Sequence, residues 1–223
     1  MTGIAIDWNY FWSVAPLFLR GLELTLVLCL VCNGISIAVA YVLATILYFR
    51  TPVLCQLIRA YVSLIRNTPM LVQLFFFYFG LPEIGVAASP LISGIIVLTV
   101  WATAYQTENI RGAIEGLPPR LTEAGRSLGL RPGGLFVFVI APVATRTVVP
   151  AMMNTIISAT KNSALLSSIG VMELTYVAMD NIAESYRSME NFLALLICYL
   201  TIVMGLSAIV TLLERHLGRG YRR

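Results

Sequence analysis

The chain has 223 residues, of which 58% are hydrophobic and 12% charged, and it carries a net charge of +4. A soluble domain has roughly twice that charged fraction, and a chain of one or two small domains has no interior large enough to hide so many apolar side chains, so a lipid-embedded protein is expected. The positive balance comes without a basic patch interleaved with aromatic residues, which argues against a nucleic-acid partner.

Residues 1–15 have no basic start and contain Asp7, so no cleavable signal peptide is expected. Residues 24–49, 84–107 and 191–213 contain no Asp, Glu, Lys or Arg. Each run exceeds the roughly 20 residues an α-helix needs to cross a hydrocarbon core of about 30 Å. Backbone in lipid must satisfy its own hydrogen bonds, so these runs are expected to be helices. The first is placed over residues 22–48 and is ended by Thr51-Pro52. Cys29 and Cys32 sit inside it with no second ligand pair nearby, so they are read as core residues and not as a metal or redox site. No disulfide is required of them or of Cys55 and Cys198.

A second helix is expected over residues 54–82. Leu54, Leu57, Ile58, Tyr61, Leu64 and Ile65 recur at helical spacing, with Arg59 and Arg66 on one stripe, as in a helix entering from a membrane interface. Thr68 and Pro69 read as an N-cap and a first-turn proline that interrupt it. Such a break is a feature of transport proteins, and it is also compatible with a simple kink. A third helix is expected over 89–111, where Glu108 and Arg111 can pair on one face at its end.

The segment 113–142 is charged and punctuated by proline and glycine. Pro119 can open a short helix and Gly129 can end it in a left-handed cap. Small residues at Ala124 and Gly125 beside Glu123 would let another backbone approach, as in a docking plug; an ordinary amphipathic loop helix has the same pattern. The fourth and fifth helices are expected over 146–170 and 191–214, with the polar strip 173–190 between them as a connecting loop or a partner contact. The tail holds the one histidine, His216, read as an interfacial surface residue.

Arginine placement orients the chain. With the N-terminus outside, Arg50, Arg59, Arg66, Arg111, Arg120, Arg126, Arg131, Arg146, Arg215, Arg219, Arg222 and Arg223 fall inside, and only Arg20 and Arg187 fall outside. The reverse threading inverts this bias. Five helices with the N-terminus out and the C-terminus in are therefore expected.

Lys161 lies inside the fourth apolar run. Lysine at a helix centre costs roughly 2.5–3.5 kcal/mol on insertion scales and persists where it pairs, faces water or snorkels. Mid-run placement makes snorkelling difficult, leaving a partner oxygen in a neighbouring helix or a water-filled pathway.

Glu123-Ala124-Gly125, then Gly129, then Ile140-Ala141-Pro142 resembles the E-A-A-x3-G loop of ABC importer permeases, with its closing I-x-L-P stretch; Gly125 stands for Ala and Ala141 for Leu. RNTPMLVQLFFFYFGLP at 66–82 is similar to the second-helix signature of the polar amino acid permeases, and KNSALLSSIG at 161–170 to their fourth-helix signature. IDWNY near the start and KNSA look most like a membrane subunit of glutamate/aspartate importers. The resemblance covers nearly the whole chain. It implies a single permease domain over 1–223, all-α, of the type I importer fold with five transmembrane helices, in a bacterial cytoplasmic (inner) membrane. It implies that Glu123, Ala124, Gly125 and Gly129 form a coupling helix seated on an ATPase dimer, that a second permease subunit, identical or homologous, completes the pathway, and that an extracytoplasmic binding protein delivers the amino acid.

No G-x-x-x-x-G-K-[ST] phosphate loop occurs, so ATP chemistry is assigned to a partner and no cofactor to this chain. Many relatives in that group carry aspartate directly after the lysine, where this chain has Asn162. An amide there removes a repulsion for an anionic side chain, and Ser163 can add a hydroxyl. Lys161, Asn162 and Ser163 are thus the candidate pathway residues, with acidic amino acids preferred and glutamine, histidine or a broad range as the alternative. An ion-coupled secondary transporter would use the same lysine and interrupted helix, but it leaves the 113–142 segment unexplained. A membrane enzyme finds no paired carboxylates or Cys/His set at useful spacing.

Overall fold

A computed structural model describes residues 6–218, with side chains as far as Leu213, and the chain folds into nine α-helical segments among these residues. The basic tail with Arg215, His216, Arg219, Arg222 and Arg223 has no described side chains.

Helix α1 (Trp8–Tyr48) starts where the Asp7 carboxylate accepts a hydrogen bond from the Tyr10 amide at 3.1 Å, an N-cap. It runs 41 residues through Pro16, about 60 Å at 1.5 Å per residue, and so begins well before the expected residue 22. The early part was hidden because Arg20 and Glu23 interrupt the uncharged run; Phe11, Val14 and Phe18 are buried, while Trp8, Trp12 and Leu19 are exposed.

The second expected helix is two pieces, α2 (Pro52–Arg66) and α3 (Met70–Phe75). Thr68 is not an N-cap. Its hydroxyl donates back to the Leu64 carbonyl at 2.6 Å, and Pro69 occupies the cap position. Gln73 holds the break instead: its Nε2 donates to the carbonyls of Ile65 at 2.9 Å and Thr68 at 3.0 Å, groups that lose partners where α2 ends. Beyond α3 the chain continues as a π turn over Phe76–Gly80 and a 3-10 turn over Leu81–Ile84.

Helix α4 (Pro90–Glu115) is capped by Ser89. Helix α5 (Pro119–Ser127) follows, then α6 (Pro132–Leu135), a π turn over Phe136–Ile140 and α7 (Ala141–Asn162), which make one column. The expected loop boundary at 142 and helix start at 146 therefore fall inside a continuous helix. Pro142 stands in the first turn of α7, directly after the π turn. The column ends in a 3-10 segment over Ser163–Ile169.

The polar strip expected as a loop is helix α8 (Leu174–Ser185), capped by Glu173 and closed by Tyr186 at φ 56°. Its buried Leu174 and Ala178 pack with Phe11, Val14 and Phe18 of α1 and Ala194 of α9 (Ser188–Gly218). A Cβ added at Gly21 would lie 2.9 Å from Val177 Cγ2 and 3.0 Å from Leu174 Cα, so glycine there lets α1 and α8 meet.

Among the described residues, four columns are long and apolar enough to cross a membrane: Trp8–Tyr48, Pro90–Glu115, Pro132–Ile169 and Ser188–Leu213. The fifth expected crossing is divided between α2 and the short Met70–Ile84 stretch. The central core joins α1 (Leu28, Cys32), α3 (Met70, Leu74), α4 (Leu98, Trp101) and the α7 column (Ala159, Leu166). Leu30, Val42, Met204 and Leu212 remain between 60% and 78% exposed, an apolar surface suited to lipid. All four cysteines are free thiols, and Cys32 lies in the core.

Candidate functional site

Lys161 opens onto a groove of about 590 Å³ between α4 and α7. Asn154, Ser158 and Lys161 line it from α7 at spacings of three and four, hence from one helix face. Trp101, Tyr105 and Asn109 face them from α4. Polar contacts fix the two helices at this level. Buried Gln106 donates to the Met152 carbonyl at 3.1 Å, and Asn109 donates to Thr155 Oγ1 at 2.8 Å and to the Ala151 carbonyl at 3.2 Å.

The lysine sits in the last turn of α7, where the negative end of the helix dipole favours its charge. It is exposed, and no carboxylate lies within ion-pair distance of it among the described residues. Asn162 is half-buried beside it in the groove. Ser163 is not there. It is fully buried, and its hydroxyl donates to the Thr160 carbonyl at 2.8 Å, so it has no hydroxyl to offer the groove. The cause is the tightening of the helix at that residue, which turns the side chain inward. The resulting 3-10 run of seven residues is longer than the usual three or four, a mark of a hinge or strain.

Helix α5 is a short projecting element whose end is a Schellman motif: the Leu130 amide donates to the Gly125 carbonyl at 3.2 Å and the Gly129 amide to the Arg126 carbonyl at 2.9 Å. Gly129 has φ +77°, the left-handed cap expected from the sequence. Glu123 and Ala124 are exposed and Gly125 is buried. The two small residues therefore differ. Ala124 leaves an open face, whereas the space at Gly125 is filled from within the chain, since an added Cβ would overlap Leu135 Cδ1. Leu128, at the C-cap of α5, is 82% exposed.

The expected Glu108–Arg111 pair forms and is bidentate, with Nε to Oε2 at 2.8 Å and Nη2 to Oε1 at 2.7 Å. Arg111 also reaches Glu115 through Nη1 at 2.5 Å. The pair belongs to a larger group that sequence reasoning missed. Arg66 Nη1 lies 3.4 Å from Glu108 Oε1, and the Arg66 guanidinium lies 5.3 Å from the Tyr105 ring centroid. The shared stripe of Arg59 and Arg66 was the available signal.

Two further clusters escaped the sequence. Glu173 is completely buried, accepting from the Tyr176 amide at 2.9 Å and the Tyr199 hydroxyl at 3.1 Å, while Thr25 Oγ1 accepts from the neighbouring Leu174 amide at 3.1 Å. At the same end Arg187 pairs with Asp7 at 2.6 Å and lies 4.4 Å from the Tyr10 ring centroid. The Tyr10 hydroxyl accepts from Asn181 at 3.0 Å and Asn191 at 3.2 Å. Arg187, with the Tyr10 amide, holds the Asp7 carboxyl below its usual value.

The capped helix α5 and the Lys161 groove between α4 and α7 are thus separate features of the chain. The family described as "Binding-protein-dependent transport system inner membrane component" matches residues 10–223. The chain is 34% identical over 223 residues to the probable amino-acid ABC transporter permease protein PatM of Vibrio harveyi, covering 99% of this chain and all (100%) of that one. It is 30% identical over 213 residues to the glutamine transport system permease protein GlnP of Escherichia coli strain K12, covering 95% and 97% of the two chains. A solved amino acid ABC transporter with histidines superposes with a TM-score of 0.90 at 30% identity over 96% of this chain and 100% of that one. The MetNI methionine transporter shares the fold alone, with a TM-score of 0.80 at 21% identity over 95% of this chain and 99% of that one. The chain belongs to the family of binding-protein-dependent transport system inner membrane components, among relatives that are ABC permease subunits.

Proposed function

We propose that this chain is the permease subunit of an ATP-driven amino acid importer and that its groove takes acidic amino acids, glutamate and aspartate. The observation that carries the acidic reading is Lys161, with no ion-pair partner among the described residues, in a polar groove whose lining holds no carboxylate. An ammonium without a protein counter-ion, at membrane depth, attracts an anionic ligand. Asn162 beside it adds hydrogen-bonding capacity without negative charge. Asn109 and Asn154 in the same groove, together with the glutamine permeases among the relatives, support glutamine as a second reading.

In this reading α5, with Glu123 and Ala124 on its open face and Gly129 in its cap, seats on the ATPase dimer. A second permease subunit, identical or homologous, closes the groove, and an extracytoplasmic binding protein loads it. The α5 end lies inside the cell and the N-terminus outside.

The test is uptake by the complete transporter in proteoliposomes. Glutamate and aspartate should compete with labelled glutamate, while glutamine, histidine and arginine should not. Lys161→Met should reduce glutamate uptake by at least about tenfold, the equivalent of about 1.4 kcal/mol. Wild-type uptake by that variant sinks the role of Lys161, and uptake of labelled glutamine without uptake of labelled glutamate replaces the acidic reading with the second.

A further inference from the structure

The groove does not end at Tyr105. That residue also walls a cavity of about 460 Å³ that contains Arg59, Arg66, Glu108 and Arg111. This cavity shares Arg59 and Arg111 with a third, of about 530 Å³, that reaches Thr122 and Arg126 of α5. Three open volumes therefore follow one another from Lys161 toward α5, and Tyr105 is the partition between the first two.

The arginines along this course are not equivalent. Arg111 has Nε and both terminal nitrogens engaged by Glu108 and Glu115 at 2.5–2.8 Å, so it is committed to the fold. Arg66 is held loosely, with a 3.4 Å approach to the same Glu108 oxygen that Arg111 already holds at 2.7 Å. Arg59 has no carboxylate partner among the described residues. Arg59 and Arg66 lie two helical turns apart on the face of α2 that lines the cavity, about 10 Å along the axis. Planar guanidinium groups recognise carboxylates in a bidentate manner.

We infer that Arg66, followed by Arg59, forms a second carboxylate site beyond Tyr105, and that Glu108 is an internal carboxylate which holds Arg66 until a substrate carboxylate displaces it. The identity of the ligand rests on the amino-acid reading of the Lys161 groove. Every amino acid carries an α-carboxylate, so the site does not depend on an acidic side chain. Arg66 stacked against Tyr105 keeps the partition in place, and exchange of Glu108 for the incoming carboxylate frees it to move.

A competing carboxylate and its arginine have opposite effects on ligand binding, whereas two partners in a purely structural pair damage the protein alike. The experiment is equilibrium binding of labelled glutamate and, in parallel, labelled glutamine to the assembled transporter in detergent without ATP. Gel filtration with the ATPase verifies assembly of each variant. Glu108→Gln should retain at least about threefold more ligand than the parent. Arg66→Gln should retain at least about threefold less, with Arg66→Lys between it and the parent. Opposite signs with either amino acid support the site; the same sign, or no change, with both overturns it. If Arg66→Gln does not assemble, Glu108→Gln decides alone: a gain supports the site, and no gain overturns it. Lys161→Met distinguishes the two proposals. Wild-type uptake by Lys161→Met removes the groove reading, and opposite signs at Glu108 and Arg66 would still support the arginine site.

Discussion

At the scale of single residues, two glycines in and beside α5 act through different physics. Gly129 occupies a left-handed backbone position, φ +77°, that a β-branched residue enters at a cost of about 1–2 kcal/mol. Gly129→Val should therefore loosen the α5 cap and lower transport-coupled ATP hydrolysis, read against ATPase retention on purification. Gly125 is small for want of space. Gly125→Ala should push Leu135 off its rotamer at a cost of about 1–3 kcal/mol, and Leu135→Val in the same chain should recover most of it in a double-mutant cycle. Asp7 gives a pH dependence. Its folded pKa lies below the ordinary 3.8, so the clamp to Arg187 is at full strength above that pH and is lost as pH falls through the lower folded value. Protease cleavage near Tyr10 should rise only below pH 3.8, and Asp7→Asn should show the raised cleavage already at neutral pH. The φ +77° cap was legible beforehand because glycine at the end of a helical pattern is a local signal. The Asp7–Arg187 pair was not, because its members are 180 residues apart.

At the scale of elements, hydrophobic runs and proline positions located the helices, and side-chain hydrogen bonds decided their ends. The α2–α3 break was placed at Thr68-Pro69, but its bond donor is Gln73, five and eight residues from that side chain's acceptors by chain and adjacent to them only because the helix turns. Gln73→Leu should leave the Ile65 and Thr68 carbonyls without their amide and lower the stability of the assembled permease by about 1–3 kcal/mol, measured as a drop in thermal midpoint. Helix α8 was mistaken for a loop because Glu173, Asp180, Glu184, Arg187 and Glu190 punctuate the strip with charge. Leu174 and Ala178 are enough to bury one face once α1 and α9 supply the other wall. Glu173 explains why that helix starts where it does. Glu173→Ala removes the N-cap and leaves the Tyr199 hydroxyl one acceptor short, and it should be worse than an ordinary cap loss of about 1 kcal/mol.

At the scale of the whole molecule, the arginine bias predicts that the α5 end and the α8 end lie on opposite sides of the membrane. Arg120 and Tyr186 are exposed at the two ends. With Cys198 replaced, a thiol at Arg120→Cys should react with an impermeant reagent only in inverted vesicles, and one at Tyr186→Cys only in intact cells. The opposite pattern would reverse the threading and remove the ATPase from α5. Composition alone determined that this chain is a bundle of lipid-exposed helices, and local sequence determined the projecting α5 with its glycine cap and the presence of a charge within an apolar column. Those features follow from transfer free energy and backbone conformation, which act along the chain. Only the tertiary structure decided that Ser163 turns inward, that Lys161 has no carboxylate within reach among the described residues, and that Arg66 shares Glu108 with Arg111. Each of those depends on which helix faces meet, and packing between residues far apart in sequence leaves no periodic trace in any one segment.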